Sequence, residues 1–301
     1  MWFWFSIIAL LCWSGSDLFS KIGCREADDK TAHLKMVMAV GIVMGLHACY
    51  EVFVGGVEIN MQIILTYLPV SLLYIVSMAM GYIGLRYIEL SISSPICNSS
   101  GAVASLLCFI FLGQKLSGLQ TVAVIMVCVG VVLMGFVEAN EDQQLKLERQ
   151  KRENISYTRS ALALILPIAY CLIDGLGTFA DTVILEHMDE EVANTAYELT
   201  FLLMGLISFV YVVLIKKQPL TVRREGPKLL GAVCETAGQF AYVFAIAANA
   251  IAAAPIISSY CLASVLWSRI FLKEKLSWKH YACILLAAAG IIILGVLDEI
   301  A

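Results

Sequence analysis

Ten long runs of apolar residues limit what this chain can fold into. A helix rises about 1.5 Å per residue and needs about 20 apolar residues to cross the hydrocarbon core of a bilayer. The composition, with 60% hydrophobic and 15% charged residues over 301 positions, lies outside the range of soluble domains. We therefore predict an all-α integral membrane protein with ten transmembrane helices. They are expected near residues 2–21, 36–57, 61–83, 91–113, 118–137, 161–184, 192–215, 229–248, 250–272 and 280–297.

A polar segment divides the ten runs into two sets of five. Residues 138–159 are rich in charged side chains and have too few apolar residues to be buried. We expect a first five-helix repeat at residues 1–139, a charged linker at 140–158 and a second five-helix repeat at 159–301.

Lysine and arginine are distributed unevenly among the predicted loops. All 20 except Lys115 fall on the side of the membrane that carries the linker. Because the more positive loops stay in the cytoplasm, we expect a cytoplasmic linker and both termini outside. The protein is accordingly expected in the cell (plasma) membrane.

The two halves also match in sequence. Residues 82–135 align without gaps on residues 242–295 with 13 identities in 54 positions. Each half has five helices, so the second half must enter the membrane from the opposite side. We therefore predict two inverted repeats, an architecture of secondary transporters whose substrate sites lie near the midplane. The most informative identities are Pro95 with Pro255, Lys115-Leu116-Ser117 with Lys275-Leu276-Ser277, and Gly130 with Gly290.

Several short motifs make the chain resemble a known family. They are Trp13-Ser14-Gly15 with Lys21, the segment from Tyr87 through Pro95 to Phe111-Leu112-Gly113-Gln114-Lys115-Leu116-Ser117, and Ala252-Ala253-Ala254-Pro255 through Phe271-Leu272-Lys273-Glu274-Lys275-Leu276-Ser277, followed by Gly290 and Gly295. In these motifs the chain resembles, over nearly its whole length, the ten-helix EamA-like branch of the drug/metabolite transporter superfamily. In the family an acid usually precedes the Leu-Ser or Leu-Thr of each half. This chain has the acid Glu274 in the second half, but Gln114 stands at the equivalent position of the first half. The resemblance implies a carrier of small metabolites, often an exporter, without naming the substrate.

Four acids lie deep inside predicted helices. Charged groups in the hydrocarbon are costly, so those that remain are candidates for a cavity that binds substrate. The nearest basic residue, Arg269, lies about one turn from a helix end, where its side chain can reach water. The interior is therefore expected to favour cations. The four acids are Asp17, Asp174, Glu198 and Glu235.

Two of these acids follow an aromatic residue by one helical turn. Trp13 precedes Asp17 and Tyr170 precedes Asp174, each at a spacing of i and i+4, which places both side chains on one helix face. Such a pair can offer a carboxylate and a π-face to an organic cation, and the π-face contributes about 0.5–2 kcal/mol. The alternative for Asp17 is an ion pair with Lys21 at i+4.

Glu235, Gln239 and Tyr242 form a polar face on the eighth predicted helix. They either line the cavity or join a hydrogen-bond network between helices. Tyr260 and Trp267 likewise either line the cavity or pack.

Other polar residues have simpler interpretations. Glu198 lies near the outer end of its helix, where water can reach it, and His47 either relays protons or hydrogen-bonds a neighbour. Glu51 and Asp181 lie close enough to helix ends to be interfacial acids.

The favoured hypothesis is a secondary active transporter of an organic cation or amine-bearing compound that works by alternating access. A desolvated carboxyl group holds its proton tightly, so Asp174 and Glu235 could exchange protons for substrate. The alternatives are a carrier of neutral or anionic metabolites (amino acid, sugar phosphate or nucleotide-sugar type), in which Arg269 faces the cavity, and a lipid flippase subunit.

Other function classes lack support in the sequence. A net charge of −4 gives no reason to expect nucleic-acid binding. No metal-ligand spacing, phosphate-binding loop or nucleophile motif is present, so no enzyme activity, metal or cofactor is expected. The expected partners are the small-molecule substrate, the lipid bilayer and protons. An internally duplicated chain can form its cavity alone, so a monomer is expected.

Overall fold

The residues that the structure describes form ten α-helices. A computed structural model describes residues 1–23, 31–84, 96–140, 165–271 and 277–300, which contain no strand. Residues 141–158 of the predicted linker, Pro95 and Glu274 lie outside these ranges. The helices are α1 Trp2–Gly23, α2 Ala32–Tyr50, α3 Met61–Gly84, α4 Ser100–Phe111, α5 Gly118–Ala139, α6 Ile165–Leu185, α7 Glu190–Phe209, α8 Val222–Ser258, α9 Tyr260–Phe271 and α10 Trp278–Ile300. A π-helical turn extends α2 over Glu51–Gly55, and another extends α7 over Val210–Ile215.

The outer surface of the bundle is apolar. Large hydrophobic side chains such as Phe53, Leu285 and Phe136 are 83%, 68% and 62% exposed. In the described residues, eight helical stretches are long and apolar enough to cross a membrane, and the apolar helix Ile96–Phe111 is shorter. Apolar surface of this extent is stable only against lipid. The chain is an all-α membrane protein, as predicted.

Helix α8 runs from the eighth predicted span into the ninth and bends at Asn249. Asn249 has φ −162° and ψ 74°, so the backbone leaves the helical conformation there. The bend falls between the predicted eighth and ninth spans. Pro255 lies six residues further on, inside the second segment of α8.

The ninth span is divided by Ser259, and the fourth span has the matching break at Ser99. The two serines have nearly the same backbone conformation, with φ and ψ of −70° and −4° at Ser99 and of −74° and 4° at Ser259. Each backbone N–H donates to the carbonyl three residues earlier, on Ile96 and on Ile256. The two halves therefore repeat the same helix break at residues that match in sequence.

Packing between the halves has the symmetry of a duplicated fold. Helix α1 of the first half packs on α8 of the second, and α6 of the second half packs on α3 of the first. Helix α2 packs on α7, which is its equivalent in the second half, and α5 packs in the same way on α10. These two contacts therefore lie on the axis that relates the repeats.

The axial contacts are close because glycines lie there. A Cβ atom on Gly41 of α2 would lie 2.7 Å from the Cα of Gly205 on α7. At the other axial contact, a Cβ on Gly130 would lie 2.9 Å from the Cβ of Ala287, and one on Gly290 would lie 2.6 Å from the carbonyl oxygen of Ala123. Small residues at helix crossings let membrane helices approach closely.

Candidate functional site

Three of the four deep acids come together between α1, α6 and α8. Glu235 on α8 lies near Asp17 on α1 and near Asp174 on α6, so each of the two acids repels its charge. All three side chains are half-buried. We call Asp17, Asp174 and Glu235 the acidic cluster.

Each acid of the cluster accepts a hydrogen bond from a serine on another helix. A serine hydroxyl satisfies a carboxylate oxygen without neutralising its charge. The pairs are Asp17 Oδ2 with Ser264 Oγ on α9 at 2.9 Å, Asp174 Oδ1 with Ser77 Oγ on α3 at 3.2 Å, and Glu235 with Ser16 on α1.

Aromatic rings surround the acidic cluster. The ring of Trp13 lies 5.2 Å from that of Tyr242 and 5.9 Å from that of Tyr260, measured between centroids. Tyr260 lies near all three acids of the cluster, and Tyr170 lies near Tyr260. The two aromatic–acid pairs recognised in the sequence therefore belong to one region. A cation there would meet carboxylates and π-faces together.

Two buried hydrogen-bond donors beside the cluster have no partner among the described residues. They are Nε1 of Trp13 and Nε2 of Gln239. Gln239 is 4% exposed and follows Glu235 by one turn of α8. Its neighbour Gly238 packs against the indole, because a Cβ there would lie 2.7 Å from Nε1 of Trp13. Buried donors are normally paired, so a bound molecule with an acceptor oxygen would complete both.

Trp267 has a packing role at the edge of the cluster. Its Nε1 donates to Oγ of Ser14 at 2.8 Å, and its ring lies 6.0 Å from that of Phe271. Ser14 lies one turn before Asp17. Trp267 therefore ties α9 to α1 next to the acids.

Glu198 lies apart from the acidic cluster, between α7 and α2. Both of its carboxylate oxygens lie 2.9 Å from Nδ1 of His47, and Nδ2 of Asn194 donates to Oε1 at 3.0 Å. His47 also contacts Glu51 at 3.5 Å through Nε2. Glu198 is 0% exposed, so the expectation that water reaches it is wrong. The contacts join α2 to α7 near the axis of the repeats.

Asp181 on α6 is a buried acid whose importance sequence reasoning missed. It was interpreted as an interfacial residue, but it is 0% exposed because tyrosines of α3 and α8 cover this end of α6. The hydroxyl of Tyr67 donates to Oδ1 at 2.7 Å, that of Tyr74 lies 3.5 Å from Oδ2, and Tyr242 also hydrogen-bonds the carboxyl group. Its spacing of i+7 from Asp174, two turns along one helix face, is the signal that could have identified it.

The tyrosines around Asp181 are joined to one another and to the acidic cluster. The hydroxyls of Tyr74 and Tyr242 are hydrogen-bonded to each other, and Oγ1 of Thr178 lies 3.2 Å from the hydroxyl of Tyr242. The ring of Tyr242 also packs on Trp13. We call Asp181, Tyr67, Tyr74 and Tyr242 the tyrosine layer. Tyr242 is the residue that contacts both regions.

Metal binding has no candidate site in the described parts of the chain. No group of three or more His, Cys, Asp or Glu side chains in them is arranged to hold a metal ion.

Comparisons with known proteins show the family and the fold of the chain. The model of the EamA-like transporter family matches residues 1–136 and 161–296, one match for each repeat. A solved crystal structure aligns with 99% of this chain and 97% of its own, with a TM-score of 0.69 and 12% identity, which shows a shared fold. No curated protein matches.

Proposed function

Because the chain belongs to the EamA-like transporter family, we propose that it carries a small organic cation or amine-bearing metabolite by alternating access, in exchange for protons. Membership of the family makes it a membrane transporter of small molecules. The type of substrate and the coupling to protons are our proposal.

The acidic cluster is the observation that supports a cationic substrate. Three carboxyl groups from three helices lie close together, and serines supply their hydrogen bonds. An anionic substrate would need a basic residue in the same place. Arg269, the nearest candidate in the sequence, has an exposed side chain in the last turn of α9.

The aromatic residues extend the proposed binding site. Trp13, Tyr170 and Tyr260 would contact the cation through their ring faces. Gln239 and the indole N–H of Trp13 would donate to an oxygen of the same molecule. All of these residues belong to one chain, so we propose that the carrier works as a monomer.

Exchange for protons follows from the partial burial of the acids between helices. In a dehydrated site a carboxyl group is more stable with a proton than as an ion without a counter-charge. A cation entering the cluster supplies that counter-charge, and the proton of Asp174 or Glu235 leaves to water. The substrate and the proton therefore compete for the same oxygens.

The test is transport in liposomes that enclose a pH-sensitive dye. Amines, quaternary ammonium compounds, amino acids and organic anions are added one at a time. We expect cations alone to move protons, and we expect Asp174→Asn or Glu235→Gln to abolish the signal. Glu186→Gln, which changes an exposed acid just beyond the end of α6, is the matched control and should transport as the unaltered protein does.

Two results would contradict the proposal. The first is a response to anions or neutral metabolites and not to cations. The second is full cation-dependent proton movement in the Asp174→Asn, Glu235→Gln double variant.

A further inference from the structure

Asp181 is a buried acid that has no role in the proposed exchange of substrate for protons. It is 0% exposed, and its hydrogen-bond partners among the described residues are the hydroxyls of Tyr67, Tyr74 and Tyr242. Tyrosine hydroxyls donate hydrogen bonds but bring no positive charge. The group therefore lies in a sealed, polar but uncharged environment.

The tyrosine layer lies at one end of the acidic cluster. Asp181 follows Asp174 by seven residues on α6, which places it about 10 Å further along the same face. Tyr67, Tyr74 and Tyr242 are 0%, 8% and 4% exposed, whereas the acids of the cluster are half-buried. The layer is thus more deeply buried than the acidic cluster beside it.

In the part of the chain that the structure describes, the side chains that contact Asp181 are hydroxyls, which cannot neutralise its charge. A carboxylate ion buried without a cation is unfavourable by several kcal/mol, and hydroxyl donors offset only part of this. A proton on the carboxyl group removes that cost while the layer is closed. The titratable groups that contact it in the described residues are Tyr67 and Tyr74 on α3 and Tyr242 on α8. Further out lie Cys108 on α4, which contacts Thr182, Tyr197 on α7, which lies near Tyr67, and Asp174 and Glu186 along the same stretch of chain as Asp181.

We propose that Asp181 is a second proton-binding site of this carrier, which holds a proton while the tyrosine layer is closed and releases it when the layer opens. On opening, water reaches the carboxyl group, and the proton passes from its oxygen to that water. This proposal rests on the proposed function, because a proton bound at Asp181 drives transport only if the acidic cluster binds the substrate.

Tyr242 provides the connection between the two regions. Its ring packs on Trp13, which belongs to the proposed substrate site, and its hydroxyl is shared with Tyr74 in the layer. A substrate that moves Trp13 therefore disturbs a hydroxyl of the layer. Release of the proton from Asp181 would follow the movement of substrate without direct contact between them.

The first test looks for the proton directly. Infrared spectra of the purified protein are compared with those of Asp181→Asn, a change that keeps the size of the side chain and an acceptor for Tyr67. We expect the carbonyl band of a protonated carboxylic acid at neutral pH, and we expect Asp181→Asn to lose it. If the two spectra agree in this region, the inference is overturned.

A second variant serves if Asp181→Asn does not fold. Tyr67→Phe removes the donor to Oδ1 and leaves the acid in place, so the same band should move to higher frequency. A band that stays at its original frequency would contradict the inference as well.

Transport of benzyltrimethylammonium, a cation that cannot itself carry a proton, separates this inference from the proposed function. We expect Asp181→Asn to bind the cation with a Kd within twofold of that of the unaltered protein, and to move one proton fewer for each cation. Asp174→Asn, on the same helix, should lose cation binding and keep the Asp181 band.

The outcomes of the two experiments are distinguishable. If the band belongs to Asp181 but no cation binds, the proposed function fails and the proton site remains. If the cation binds and Asp181→Asn moves as many protons as before, the second proton site is wrong.

Discussion

Glu198 and Glu235 are the same residue type, and their partners give them different chemistry. Glu198 faces an imidazole, whose Nδ1 lies 2.9 Å from both carboxylate oxygens. Glu235 faces a serine hydroxyl and two further acids. Among the described residues, the first glutamate has a group that can balance its charge, whereas the partners given for the second are a hydroxyl and acids. This difference is why the proposed function gives Glu235 to the substrate and leaves Glu198 to the packing of the bundle.

Removing the imidazole should destabilise the protein. His47→Ala leaves Glu198 buried with Asn194 alone, and breaking a buried pair in this way costs about 3 kcal/mol. We expect a clearly lower Tm of the purified protein. Cys49→Ala, an exposed position on the same helix, is the control and should leave the Tm unchanged.

The double variant His47→Ala, Glu198→Gln checks the reason for this loss. It removes the buried charge together with its partner, so it should be more stable than His47→Ala alone. If the double variant has a lower Tm than His47→Ala, the buried charge of Glu198 is not the reason why His47→Ala is unstable.

Among the elements, the crossing of α2 and α7 depends on glycine. Gly41→Ala places a methyl group 2.7 Å from the backbone of Gly205, which cannot move aside as a side chain would. We expect the free energy of unfolding to fall by about 1–3 kcal/mol, measured by thermal or denaturant unfolding in detergent. Gly226→Ala is the matched control, because a Cβ there meets nothing within 4 Å. Equal stability of the two variants would contradict a close crossing.

The elements were more predictable than their contacts. The apolar runs and the repeat predicted the helices, because each crossing must bury about 20 residues in lipid wherever its neighbours lie. The ninth span was predicted as one helix, but Ser259 divides it, and Ser99 makes the matching break in the fourth span. The matched prolines Pro95 and Pro255 indicated a start or kink of these helices but not a break at the serines four residues later.

The partners of the acids could be predicted only in part. The repeat related Asp17 to Asp174, and helix spacing placed each beside an aromatic residue. His47 and Glu198 are 151 positions apart, and Tyr67 and Asp181 are 114 apart. No local sequence pattern indicates a contact between residues so far apart, so the burial of Glu198 and Asp181 could be recognised only from the structure.

At the scale of the whole molecule, the uneven distribution of lysine and arginine predicts its orientation. The loop that contains Glu58 should face outward, and the loop that contains Gln218 should face the cytoplasm. Cysteine is introduced at each position in a Cys49→Ser background, since Cys49 is the exposed cysteine of the described chain. We expect a membrane-impermeant thiol reagent to label Glu58→Cys in intact cells and Gln218→Cys only after lysis. The reverse pattern would invert the predicted topology.

The bend at Asn249 makes the eighth and ninth spans a hairpin without a loop. Glu235 lies 14 residues before the bend and Tyr260 lies 11 residues after it. At about 1.5 Å per residue the two arms are about 21 and 17 Å long, so the acid and the ring return to nearly the same depth. The proximity of Glu235 and Tyr260 therefore depends on the number of residues that separate each of them from Asn249. One residue inserted after Asn249 would turn Tyr260 by about 100° and take its ring out of register with the acids.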